Sequence, residues 1–376
     1  MAITSFVIEQ KPFLALIASM QPICTKRNSV NATNFLLFHI GHRELIIKST
    51  DLEISLQVSY PLKEGNVVDN TISFLVSGRR LFELVKELDG DIFCEIDERI
   101  LTLKNGSVSL TLNINSPEDF PPFPERIENL MMLKKEFLLT LLSKVSFLIP
   151  QNNVNHALNG MFIEISPTKT VMTATDGHCL AQVSSSEYTL DANRSWLLPR
   201  RAVFEIKKIL ESGIQDEQIL LGICDNQLVF SGESFNFFSR LLNDPFPKYE
   251  EILDKKGFMP AYVDRLPLTK TLRRSSCLLS GQFIATQFSF GTQSIQVTMQ
   301  NKEVGTLSED IPLSDFKGEN LSIRFYAPYL LSGLHVFPQE KLNFYLKNAS
   351  SPIMFEAKEE NYYFLYLVMP VAPVHG

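Results

Sequence analysis

The chain has 376 residues, 45% hydrophobic and 20% charged, with a formal net charge of −7 and a mean hydropathy of +0.03. That length exceeds one small core and predicts two or three domains. No stretch reaches the ~20 apolar residues of a membrane span, so a soluble chain is expected, and the acidic balance excludes a protein whose whole surface grips nucleic acid.

Strand-like alternation opens the chain at Thr4–Ile8, and Lys11–Met20 reads as an amphipathic helix with Phe13, Leu14, Leu16 and Ile17 at core spacing. Glu9 before it and only Lys11 beside it argue against a secretory h-region. Gln21–Thr33 is polar and reads as a loop. Strands follow over Asn34–Ile40, Glu44–Ser49 and Glu53–Val58, with turns at Gly41-His42 and Lys63-Glu64-Gly65. Ser77–Leu88 reads as a helix with Ser77 as N-cap and a stripe of Leu81, Leu84, Val85 and Leu88. Ile92–Asp97, Ile100–Leu103 and Ser107–Asn113 are strands, the last two joined by an Asn105-Gly106 turn. A proline-rich stretch, Ser116–Pro124, closes the segment.

The same order then recurs. Lys134–Leu148 is helical, Gly160–Ile165 and Thr170–Ala174 are strands, and a helix from Pro199 to Leu210 carries Arg200-Arg201 as the earlier one carries Arg79-Arg80. These Arg pairs lie 121 positions apart, the Thr50-Asp51 and Thr175-Asp176 pairs 125, and Phe120-Pro121 and Phe246-Pro247 126. Three markers at nearly one spacing predict duplicated domains. A third copy keeps only the order of elements: helices over Asp264–Leu278 and Tyr326–Val336, strands over Gln282–Phe290, Ser294–Gln300, Leu342–Lys347, Pro352–Ala357 and Tyr362–Met369. The expected domains are 1–125, 126–255 and 256–376.

On the expected helices basic residues outnumber acidic ones, although the whole chain is acidic. Such a split suggests one face towards phosphates and another away from them. Good helix formers on a solvated face would give the same pattern. No aromatic interleaving, helix-turn-helix or zinc-finger spacing accompanies these charges, so any DNA contact is expected to be to the backbone.

Thr173–Val183 holds Asp176, His178 and Cys179 within four residues, and invites a Cys/His hydrolase reading. Thr50–Val58 repeats its Thr-Asp start and Gln-Val end without His or Cys, which favours a structural corner; Gly177-His178 reads as an insert that only the second copy has. Adjacent side chains on a strand also diverge. The five scattered cysteines, with no Cys-x-x-Cys pair, point to reduced thiols in a cytoplasmic setting. With no Walker-type loop, His-x-x-x-His pair or carboxylate cluster, neither a metal nor a cofactor is expected.

Thr175-Asp176-Gly177-His178 followed by Leu180-Ala181, Leu158-Asn159-Gly160-Met161, Phe246-Pro247-Lys248-Tyr249 and the terminal Val368-Met369-Pro370 together resemble the bacterial DNA polymerase III beta subunit family of replicative sliding clamps. The resemblance covers the full length. It implies an α+β fold of three tandem clamp domains, each with two helices backed by antiparallel sheet, in a crescent that pairs head to tail into a dimeric ring. It implies no catalysis. The ring would encircle double-stranded DNA and tether the replicative polymerase, the clamp loader and other proteins carrying a short clamp-binding peptide; a clamp-like binding module that closes no ring is the alternative.

By that resemblance Leu158, Thr175, Gly177, His178, Leu180, Pro247, Ile252, Ser351, Leu367, Met369 and Pro370 line the peptide groove between the second and third domains. Lys26, Asn152 and His156 fall near DNA, joined by Arg27 and the helix residues Arg79, Arg80, Arg200, Arg201 and Lys207. Val108 and Leu110 of one subunit would meet Cys277 and Leu278 of the other. Three features depart from the family pattern: Cys179 stands where a basic residue is common, Ala157 where an aromatic is common, and Ser280–Ile284 lacks the usual charges. The chain also continues six residues past Met369-Pro370.

Overall fold

The computed structural model describes residues 4–24, 31–62, 71–124, 126–212, 216–280 and 283–371. Lys26, Arg27, the Lys63-Glu64-Gly65 turn and the tail beyond Val371 lie outside them.

One order of elements occurs three times. The first copy runs β1 (Thr4–Glu9), α1 (Gln10–Cys24), β2 (Phe35–Ile40), β3 (Glu44–Thr50), β4 (Ile54–Pro61), β5 (Ile72–Ser77), α2 (Gly78–Lys86), β6 (Asp91–Asp97), β7 (Ile100–Asn105) and β8 (Val108–Asn115). The second runs β9 (Glu128–Lys134), α3 (Lys135–Val145), β10 (Gly160–Ile165), β11 (Thr170–Thr175), β12 (Cys179–Ser185), β13 (Arg194–Pro199), α4 (Arg200–Glu211), β14 (Gln218–Cys224), β15 (Gln227–Ser231) and β16 (Phe235–Arg240). The third runs β17 (Met259–Asp264), α5 (Arg265–Cys277), β18 (Thr286–Phe290), β19 (Ser294–Asn301), β20 (Gly305–Ser314), β21 (Leu321–Phe325), α6 (Ala327–Leu334), β22 (Lys341–Leu346), β23 (Ile353–Lys358) and β24 (Tyr363–Val368).

The strands form two antiparallel twelve-stranded sheets, ordered β1-β6-β7-β8-β5-β2-β3-β4-β16-β15-β14-β9 and β13-β10-β11-β12-β24-β23-β22-β17-β20-β19-β18-β21. Each sheet is thus three four-stranded blocks. The middle copy gives one block to each, joined through β4–β16 in the first sheet and β12–β24 in the second. Compact units therefore follow sheets rather than repeats: one comprises Met1–Leu139 with Phe204–Leu241, the other Thr140–Val203 with Leu242–Gly376.

Apolar periodicity explains the elements. In α1, Phe13, Ile17, Met20, Ile23 and Cys24 make one buried stripe. That stripe continues past Met20, which is why the helix runs on where a polar loop was expected. In α2, Leu81 and Val85 face the core while Arg79 and Arg80 are exposed. Ser77 does occupy the N-cap position, but its side chain makes no cap hydrogen bond. Along β19 the alternation puts Ile295, Val297 and Met299 inside. Fully buried Phe288, Phe290, Phe325 and Phe344 pack nearby; emptying such a site costs about 3–5 kcal/mol per phenylalanine.

Strands β5, β9, β13 to β17, β20 and β21 were not read from the sequence. Several lie at sheet margins and alternate poorly. In β9, for example, only Leu133 is buried.

Candidate functional site

The Thr-Asp motif is a backbone corner between two strands, built the same way in the first and second copies. In the second, Thr175 Oγ1 donates to the Cys179 carbonyl at 2.6 Å and accepts from the Gly177 N–H at 3.1 Å. Asp176 Oδ1 accepts from the N–H groups of His178 and Cys179 at 2.8 and 2.7 Å. In the first, Thr50 Oγ1 takes the Leu52 N–H at 3.1 Å, and Asp51 Oδ1 takes those of Glu53 and Ile54 at 3.0 and 2.8 Å. Both corners pass through positive φ, at Leu52 (75°) and Gly177 (92°). Gly177-His178 is therefore no insert: it occupies the positions of Leu52-Glu53 in a corner of equal length. Each polar side chain satisfies turn amides that have no ladder partner.

The corner does not assemble a nucleophile. His178 is exposed, whereas Cys179 begins β12 with 1% of its surface accessible. Burial, aided by the Asp176 carboxylate, drives the Cys179 thiol well above its ordinary pKa and outweighs the hydrogen bond with Tyr366. Among the described residues no group of three or more His, Cys, Asp or Glu could hold a metal ion.

What the corner does instead is abut the last strand. β12 and β24 run antiparallel with Leu180 opposite Leu367 and Cys179 opposite Val368. Beyond the strand ends, the Met369 N–H donates to the His178 carbonyl at 2.9 Å. Leu180 and Leu367 share a buried cluster with Tyr249, Met354 and Leu365, and Phe246, Leu253 and Met369 pack against it. Met369 and Pro370 are half-buried, while His178 and Gly177 are exposed. A Leu158 methyl would lie 3.9 Å from a Cβ at Gly177. Pro247 and Ile252 flank the packed residues Phe246, Tyr249 and Leu253, and Ile252 remains 42% exposed. Ser351 bonds to Asn348 just ahead of β23. Leu180, Leu367 and Met369 thus share one apolar cluster, a floor with exposed Gly177 and His178 as a rim at its edge, in the unit that contains β12 and β24.

The floor is braced by half-buried polar contacts. Tyr249 donates its hydroxyl to Glu164, and burial together with that carboxylate raises the phenol's pKa. Glu356 on β23 receives Lys255, Tyr345 and Tyr363, this last at 2.7 Å.

Two tyrosines of the rim escaped sequence reasoning. The Tyr329 ring stacks on His178, with centroids 5.3 Å apart and planes 17° from parallel. Tyr326 meets Tyr329 edge-on at 4.9 Å and stacks on Phe283 at 4.5 Å. The signal was a pair of tyrosines three apart at the start of α6, where both fall on one face.

Of the expected DNA-facing residues, Arg79, Arg80, Asn152 and His156 are exposed. Arg79 pairs with Glu83 at 3.1 Å, and Lys207 lies 3.8 Å from Glu211. Arg200 donates to the Ile149 carbonyl at 3.0 Å, and it and Arg201 are half-buried. At the expected seam, Val108 and Cys277 are exposed, and Leu110 and Leu278 half-buried.

Three domain profiles of the DNA polymerase III beta subunit match this chain in order: the N-terminal domain over residues 4–124, the central domain over 132–248 and the C-terminal domain over 251–372. A beta sliding clamp of Pseudomonas putida is 27% identical over 375 residues, covering 97% of this chain and 99% of that one. One from Pseudomonas aeruginosa is 26% identical over 371 residues, with the same coverage. Among solved structures, a Pseudomonas aeruginosa sliding clamp bound to griselimycin superposes with a TM-score of 0.90 at 24% identity, over 99% of this chain and 100% of that one. The Bacillus subtilis DNA polymerase sliding clamp gives 0.90 at 20% identity, again over 99% and 100%. Matched by all three domain profiles over nearly its full length, the chain belongs to the DNA polymerase III beta subunit family, the beta sliding clamps.

Proposed function

We propose that this chain is a processivity clamp that works as a head-to-tail homodimeric ring around duplex DNA. It catalyses no reaction. It holds the replicative polymerase near its template and so raises that enzyme's local concentration.

The observation that carries the ring is the repeated sheet joint. The last strand of one block, β4, pairs with the last strand of the next copy, β16; β12 pairs with β24 in the same way. By repetition β20 should pair with β8. Within the chain, however, β8 pairs with β5 only through Ile114 and Asn115, and β20 pairs with β17 only through Leu313 and Ser314. The remaining lengths, Val108–Asn113 and Gly305–Pro312, have ladder partners on one side only among the described residues. Open strand edges are templates for another chain. A heterologous joint between β8 of one copy and β20 of another closes a two-membered ring.

Exposed basic side chains such as Arg80 and Lys208 suit loose, sequence-independent contact with phosphates through released counterions. The apolar floor at Leu180 and Leu367, rimmed by His178, Met369 and Tyr329, suits a short peptide with apolar anchors, as carried by a polymerase, a clamp loader or a repair protein. As a replication factor it would act in the cytoplasm.

The test is retention on nicked circular DNA. A closed ring stays bound in moderate salt and is lost once the circle is cut; equal loss from circular and linear DNA would favour a clamp-like module that encircles nothing.

A further inference from the structure

Tyr366 lies in the middle of β24, opposite Ala181 of β12 and Phe355 of β23. It is fully buried, and its ring lies so close to α6 that a Cβ at Gly333 would come within 2.2–2.5 Å of three ring carbons. Glycine at that helical position is what lets the strand and helix approach.

The Tyr366 hydroxyl donates to the Tyr329 carbonyl at 2.5 Å and meets Ser332 Oγ at 3.0 Å, while the Cys179 side chain lies beside it on the sheet side. A phenol buried so completely is costly unless these partners stay in place. It therefore pins α6 along its axis at Tyr329, the residue whose side chain stacks on His178.

We propose that Tyr366 is a positioning residue for peptide recognition: it touches no peptide itself, but holds α6 so that Tyr329 forms a wall with His178. The proposal rests on the groove reading above. It also gives Cys179 a part, as the sheet-side neighbour that fills the third approach to the Tyr366 oxygen.

The experiment compares the unaltered protein with Tyr366→Phe, Tyr329→Ala and the double variant. Two readouts are used: affinity for a fluorescent Gln-Leu-Ser-Leu-Phe peptide, and the His178 imidazole proton resonances of the peptide-free protein, which sense the Tyr329 ring current. Tyr366→Phe is expected to weaken the peptide roughly three- to tenfold, the value of one or two buried hydrogen bonds. It should also shift the His178 resonances towards those of Tyr329→Ala. In the Tyr329→Ala background the same change should cost less than about twofold, because coupled residues are not additive. Ser332→Ala, which trims the same hydroxyl's contacts more gently, should act in the same direction even if Tyr366→Phe lowers the melting temperature. Unmoved His178 resonances, or an equal loss of affinity in both backgrounds, would overturn the proposal. If Tyr329→Ala itself binds peptide normally, the groove reading fails, and that result is distinct from a failure of positioning.

Discussion

Met369 donates its backbone N–H to the carbonyl of His178. This bond extends the β12–β24 ladder past Val368 and ties the end of the third copy to the corner of the second. Met369→Ala and His178→Ala should each weaken a Gln-Leu-x-Leu-Phe-like peptide about five- to thirtyfold, the range of a modest hot spot. Circular dichroism should stay native, since both side chains are at least partly exposed. Fluorescence anisotropy titration checks this, and unchanged affinity in both variants would remove the groove assignment.

Sedimentation at micromolar concentration should show a species of twice 42.7 kDa. Leu110→Asp places a charge on the half-buried side of β8 and should give monomers with an unchanged fold. A purely monomeric unaltered protein would contradict the ring.

Thiol chemistry should separate buried from accessible cysteines. Cys24, Cys94, Cys179 and Cys224 are buried and Cys277 is exposed. Titration of the native protein with a chromogenic disulfide should therefore release about one equivalent per chain quickly and the rest only on unfolding. Cys179→Ser keeps a hydroxyl within reach of Tyr366 and should retain peptide binding and DNA retention. Complete loss of function in a folded Cys179→Ser variant would revive the nucleophile reading.

Acid should weaken the unit containing β23 through Glu356. Burial alone would raise this carboxyl's pKa, but hydrogen bonds from Lys255, Tyr345 and Tyr363 outweigh it and hold the group below its ordinary value of 4.5. A depressed folded-state pKa gives stability that is complete above the ordinary value and lost as pH falls through the lowered one. Glu356→Gln should thus lower the melting temperature at pH 7, with the deficit shrinking below about pH 4 as the unaltered carboxyl is protonated. Thermal melts across pH 3–7 measure it; a deficit independent of pH would mean the carboxylate charge is not what stabilises.

The repeat was legible because its markers do local work. In Thr50-Asp51 and Thr175-Asp176 the side chains satisfy the amides of a tight corner, so the pair marks that corner in the first two copies. In the third copy Asn301 accepts the Glu303 N–H at 3.0 Å between β19 and β20. The corner survives there in another chemistry, and the sequence marker disappears. Tyr329 and Tyr366 were not legible for the opposite reason: their roles arise only when a helix, a terminal strand and a distant corner meet. Leu52 shows the limit from another side. A leucine at positive φ carries no signal of a corner, whereas Gly177 does.

The sheet joints fix where such a ring can come apart. Of six equivalent strand joints in a closed dimer, the four of the β4–β16 and β12–β24 type are made within a chain, where each broken ladder finds its partner again at high effective concentration. In the proposed ring each joint between chains is tethered only through the other, so loss of both lets the partners diffuse away. In the proposed ring, the places where DNA would enter and leave therefore follow from chain connectivity.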